Sequence, residues 1–112
     1  MKARTEVRLW LVQRASAAVL ALCVAVHLAT MIAAVRGGLS AADILGRTRG
    51  SVGWAAFYAL FVLAVSIHAP LGLRTIASEW LAWRGRGADA ACVTVAIAFL
   101  GLGLLAVGSV TL

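Results

Sequence analysis

The chain has 112 residues, 63% of them hydrophobic, with a single proline and a mean hydropathy of +1.02, a composition that excludes an ordinary water-soluble domain. Its net charge of +6 would raise nucleic acid as a partner in a soluble protein, but here the basic residues gather at the ends of apolar runs and act as topology signals. Three such runs, at about residues 11–35, 52–77 and 90–111, are long enough to cross a bilayer core, which takes about 20 residues. The expectation is one domain over residues 1–112, an all-α, three-helix transmembrane bundle.

The first run follows basic residues and so invites reading as a secretory signal. It is too long for such an h-region, and Ala33-Ala34-Val35 before Arg36 makes a poor cleavage site, so it is read as a mature helix. The helix should begin near Trp10, a residue type favoured at the membrane interface. Ala17, Ala21, Ala25 and Ala29 recur at every fourth position, a small-residue seam that lets another helix approach. His27 lies deep in this run, and Ser16, eleven residues earlier, shares its face. The helix stops at Arg36-Gly37-Gly38. Beyond it, Ser40 as N-cap and Asp43 at N3 predict a short capped helical turn.

The second run opens at Gly53-Trp54, passes Tyr58 and ends near Trp80 and Trp83. Pro70 removes one backbone donor and frees the carbonyl of Ser66, which predicts a kink just past His68, with Ser66 helping to satisfy the freed groups. On the helical face of His68 lie Gly72, Thr75 and Glu79. Gly72 removes a side chain one turn from the imidazole and leaves room for a flat macrocycle. Arg74 and Glu79 sit near the end of the span, where a cation can meet haem propionates or a quinone headgroup and a carboxylate can exchange protons.

Arg84-Gly-Arg-Gly-Ala-Asp89 reads as the connecting turn. The third run carries Gly101, Gly103 and Gly108 but no ionisable residue, and reads as a packing helix. Lys2, Arg4, Arg8 and Arg14, with Arg74, Arg84 and Arg86, outnumber Arg36, Arg47 and Arg49 of the first loop. The positive-inside rule therefore places the N-terminus in the cytoplasm and the C-terminus outside. Cys23 and Cys92 fall within spans and lack C-x-x-C spacing, the pattern of packing residues rather than of a disulfide framework.

An imidazole in hydrocarbon is costly unless something binds it, which makes His27 and His68 functional candidates. The metal reading points to haem iron. The alternatives are a hydrogen bond to another helix or a proton relay, although a relay calls for further carboxylates at depth and the spans carry none. His27 lies about two thirds of the way outward along its helix and His68 about two thirds of the way inward along an antiparallel one, so their depths should differ by roughly 10 Å. One iron needs two axial ligands on a single line. These two histidines should not share a haem, and each would need a second ligand from another chain.

The stretch His68-Ala-Pro-Leu-Gly72-Leu-Arg74-Thr-Ile-Ala-Ser-Glu79 resembles the H-x3-G-x-R-x4-D segment of the cytochrome b anchor subunit of succinate dehydrogenase and fumarate reductase. Gln13-Arg14-Ala15-Ser16-Ala17 resembles the same family's H-R-x-S-G signature. The resemblance implies that His68 is the axial haem b ligand, that Arg14 lies near the quinone and the haem propionates with Ser16 beside it, and that Arg74 serves as the arginine of the second motif. Gln13, Ala17 and Glu79 depart from the pattern, replacing histidine, glycine and aspartate. Trp10 stands where the family has a quinone-pocket serine. Quinone-site candidates are thus Arg14, Ser16, Trp10 and Glu79, and Gly72 and Arg74 join the haem site. His27 is similar to the first-helix histidine of the five-helix, two-haem anchors of the same superfamily.

The resemblance further implies a flavoprotein subunit carrying FAD and an iron-sulfur subunit docked on the cytoplasmic face. A second anchor chain, or a copy of this one, would complete one or two haems. Electrons would pass between the iron-sulfur subunit and membrane quinone in the bacterial cytoplasmic (inner) membrane. The chain itself holds no catalytic site for a dicarboxylate. Two rivals stay open: the anchor of another flavin-dependent dehydrogenase, and a structural tether without haem. A small transporter is disfavoured by the absence of intramembrane Asp or Glu.

Overall fold

A computed structural model describes residues 3–112 as four helices: α1 (Ala3–Gly37), α2 (Ala41–Thr48), α3 (Val52–Trp80) and α4 (Arg86–Thr111). α1, α3 and α4 are each long and apolar enough to cross a membrane, which makes this an all-α, multi-pass membrane protein. Lys2 of the topology argument lies outside the described residues.

The long helices overrun the apolar segments, because hydropathy marks the bilayer core and not the helix. α1 starts at Ala3 rather than near Trp10, since residues 3–9 contain neither Gly nor Pro and several good helix formers. α4 starts at Arg86, so the connection is only residues 81–85, turned by Gly85 at φ +95°. Asp89, expected in the turn, stands instead in the first turn of α4, where its charge suits the helix dipole.

Ser40 caps α2 as its pattern predicts. The Asp43 backbone N–H donates to Ser40 Oγ at 3.1 Å, and the Ser40 hydroxyl donates to the Asp43 carboxylate at 2.6 Å. That carboxylate is the reason for glycine at 38: a Cβ there would stand 2.6 Å from Asp43 Oδ2, and the backbone already lies at φ +134°.

α3 is the central element. α1 packs on it and α4 packs on it, while α1 and α4 scarcely meet. The sheltered positions of α1 include Gln13, Ser16, Leu20, Cys23, His27, Thr30 and Ala34, alternating steps of three and four that keep one face toward a partner helix. The alanine seam is not that face. Ala21, Ala25 and Ala29 are exposed and Ala17 is half-buried; with lipid as apolar as a helix partner, the apolar pattern does not tell the two sides apart.

α4 lies close against α3 at Gly103, where a Cβ would stand 2.5 Å from Val62 Cγ1. Gly101 faces open space and Gly108 meets only Leu112, the C-cap of its own helix, so of these three glycines Gly103 alone touches α3. At the far end of α4, the Thr48 hydroxyl donates to the Val110 carbonyl at 2.6 Å and the Gly50 N–H donates to the Thr111 carbonyl at 2.8 Å. These bonds satisfy acceptors that a helix C-terminus leaves orphaned.

Pro70 is fully buried, and α3 continues through it to Trp80. Ser66 does not compensate as expected: its Oγ is buried with no hydrogen-bond partner. The carbonyl that Pro70 frees is Ser66's own, which its hydroxyl is badly angled to reach.

Candidate functional site

His68 faces α1. Its Nδ1 lies 3.3 Å from Ser16 Oγ, and the Ser16 hydroxyl donates to the Gln13 carbonyl at 3.0 Å. Because Ser16 spends its one proton on Gln13, the consistent tautomer has His68 Nδ1–H donating to Ser16 Oγ. Nε2 is then the nitrogen with a free lone pair. Ser16 is buried and His68 half-buried, so this bond sits in the α1–α3 seam.

One turn further along α3, Gly72 lies under the Gln13 side chain, whose Nε2 would be 3.3 Å from a Cβ at position 72. The space expected to admit a flat macrocycle beside Gly72 is therefore bordered by the Gln13 amide. Gln13 Oε1 is buried without a partner. The Gln13 side chain lines a cleft of about 340 Å³ together with Glu6, Trp10, Gly72, Arg74 and Thr75, among others. Gln13 and Glu6 were missed as site residues. Gln13 was legible only as a departure from the family signature, and Glu6 lies outside any apolar run.

The other expected residues divide. Trp10 lines the cleft, and Arg14 stacks its guanidinium 5.5 Å from the centre of the Trp10 ring, within cation–π range. Glu79 is exposed and is not among the cleft's lining residues. Arg74 donates from Nε to Asp89 Oδ1 of α4 at 2.9 Å, a partner that reading Asp89 as a turn residue had hidden.

His27 sits apart. Ser16, the neighbour of His68, precedes it by eleven residues on α1, an axial distance of about 16 Å at 1.5 Å per residue. Its ring meets Tyr58 and Phe61 edge-on, with centroids 6.1 and 5.8 Å away, and its Nδ1 is buried without a partner. Recesses of about 440 and 180 Å³ adjoin it and share Ile44, Thr48 and Tyr58. The two imidazoles thus lie at well-separated levels of the bundle.

Among the described residues, no three His, Cys, Asp or Glu side chains gather as a metal cage. The two imidazoles stand apart instead, His68 on Ser16 and His27 against Tyr58 and Phe61. The family model for the succinate dehydrogenase/fumarate reductase transmembrane subunit matches residues 1–105. The chain belongs to that family.

Neither the curated proteins nor the solved structures contain a match to the chain. Membership of the succinate dehydrogenase/fumarate reductase transmembrane subunit family implies association with flavoprotein and iron-sulfur subunits, and the family typically binds haem and quinone. In this family member, both motif stretches meet at one end of the α1–α3 seam: Gln13 lies over Gly72, and Ser16 lies beside His68.

Proposed function

We propose that this chain is the haem b-binding membrane anchor of a succinate dehydrogenase or fumarate reductase-type complex, standing between an iron-sulfur subunit and membrane quinone. The observation that carries the reading is the Ser16–His68 bond. Ser16 holds the ring by Nδ1 and leaves Nε2 able to ligate, the arrangement by which an outer hydrogen bond fixes tautomer and orientation of a ligating histidine.

When bound, haem b supplies a one-electron carrier whose potential the protein tunes. His68 would hold it, with the second axial ligand coming from a second anchor chain or a copy of this one. His27, at its own level with an unpartnered Nδ1, would serve a second haem completed in the same way. The cleft beside Gly72 suits a quinone headgroup. Gln13 Oε1 lacks a donor, which a quinol hydroxyl provides, and Arg74 offers donors to a quinone carbonyl. Trp10 forms a wall.

The positive-inside rule orients this cleft toward the cytoplasm of a bacterial inner membrane. The flavoprotein and iron-sulfur subunits would then dock near Arg84 and Arg86, while the dicarboxylate chemistry resides in the flavoprotein. One observation favours the haemless tether instead: the Gln13 amide borders the space over Gly72.

Purification of the detergent-solubilised complex tests both readings, with subunits, haem per polypeptide and the dithionite-reduced spectrum recorded for the parent, His68→Ala and His27→Ala. The anchor reading expects a flavoprotein and haem b, with the haem held by His68 lost in His68→Ala. Absence of a Soret band in the parent would leave the tether, and an unchanged spectrum in His27→Ala would remove His27 from the ligand set.

A further inference from the structure

We infer that Asp89 of α4 is a positioning residue for the quinone cleft, holding Arg74 by Nε so that the terminal nitrogens of its guanidinium serve the recess beside Gln13. The inference rests on the cleft reading above. Arg74 lines that recess with Trp10, Gln13 and Gly72. It also lines a recess of about 510 Å³ with Ser78, Arg84 and Asp89 and one of about 280 Å³ between α3 and α4 with Pro70, Ala88 and Cys92. Arg74 therefore borders open space toward both α1 and α4, and what fixes its guanidinium decides which recess its donors enter.

The 2.9 Å bond joins Nε to Asp89 Oδ1. An arginine has five N–H donors in a planar fork, and a carboxylate on Nε leaves those on Nη1 and Nη2 unclaimed by that contact. The pair is partly open to solvent, with side chains 26% and 52% exposed, and such pairs contribute little to stability. The α3–α4 contact is already set at Gly103 and Val62 and bonded at the α2 end through Thr48 and Gly50. Orientation is what the ion pair adds. A free arginine samples many rotamers, and Glu6, which borders the first two of these recesses, is a competing carboxylate on α1. With Asp89 in place, Arg74 reaches the bound headgroup without first being drawn from Glu6.

The test uses the intact complex and a short-chain benzoquinone analogue as acceptor. Asp89→Asn should raise KM for the quinone about tenfold with kcat within about twofold, the signature of lost binding rather than lost chemistry. Asp89→Glu should bring KM back to within about threefold of the parent, because it restores a carboxylate for Nε. Arg74→Gln should raise KM at least as much, and Arg74→Gln with Asp89→Asn should be no worse than Arg74→Gln alone, as for two residues acting through one contact. Additive losses in the double variant, or no rescue by Asp89→Glu, would overturn the positioning role. A KM raised by Arg74→Gln but not by Asp89→Asn overturns it too, while leaving the cleft reading standing. A KM indifferent to both residues removes the cleft reading and the inference together.

Discussion

Ser16 on α1 and His68 on α3 meet through a 3.3 Å contact between Oγ and Nδ1, while the same hydroxyl gives its proton to the Gln13 carbonyl. Residues far apart in sequence thus share one short chain of hydrogen bonds, which ends on the imidazole. Ser16→Ala removes the acceptor and leaves Nδ1 without a partner. Haem affinity should fall by about 10- to 100-fold, the usual cost of losing such an outer contact, with a shifted midpoint potential in whatever haem remains. Haem content per polypeptide and a redox titration measure this; Ser16→Thr, which keeps the hydroxyl, should stay close to the parent.

Gly103 admits no side chain against Val62. Gly103→Ala should destabilise the protein by about 1–3 kcal/mol, the range for overpacking a filled contact, and Val62→Ala in the same chain should recover most of the loss by vacating the space. Thermal unfolding in detergent reads both. If Gly103→Ala is as stable as the parent, α4 is not seated on Val62.

Thr48 and Gly50 bond the last carbonyls of α4. In Thr48→Val the part-buried Val110 carbonyl loses its partner, at a cost of about 1 kcal/mol. Hydrogen exchange in nanodiscs should show the amides of residues 108–112 exchanging faster and those of 95–100 unchanged. Uniformly faster exchange along α4 would mean that the corner holds the whole helix rather than its end.

The orientation has its own test. In a chain with Cys23→Ala and Cys92→Ala, a cysteine placed at Arg84 should react with a membrane-impermeant maleimide only after the membrane is opened, whereas one at Gly46 should react in intact spheroplasts. The reverse pattern would put the Arg74 cleft on the outer side and detach it from any cytoplasmic iron-sulfur subunit.

The three spans were legible because a bilayer demands a run of apolar residues, and the Ser40 cap was legible because its chemistry is local. The face of α1 was not, since the exposed Ala21, Ala25 and Ala29 look as suited to a helix partner as Leu20 and Cys23 do. Gly103 could not be told from Gly101, because only the register between α3 and α4 separates them. The motif that resembles the family's marked His68 and Ser16 separately; their contact needed the relative depth of two helices. Asp89 was hidden for a different reason. A polar residue beyond an apolar run reads as loop until the helix is seen to begin before it, at Arg86.

Because α1 and α4 each lean on α3 and scarcely on each other, the central helix acts as a shared wall between two nearly independent rooms. Damage at Val62 and Gly103 should leave the Ser16–His68 contact in place, and damage at Ser16 should leave α4 seated. Lesions on opposite sides of α3 should then add in free energy, as distant sites do. Arg74, on α3 itself, is an exception: lining the α1-side cleft while bonded to α4, it is a doorway through which a disturbance in either room reaches the other.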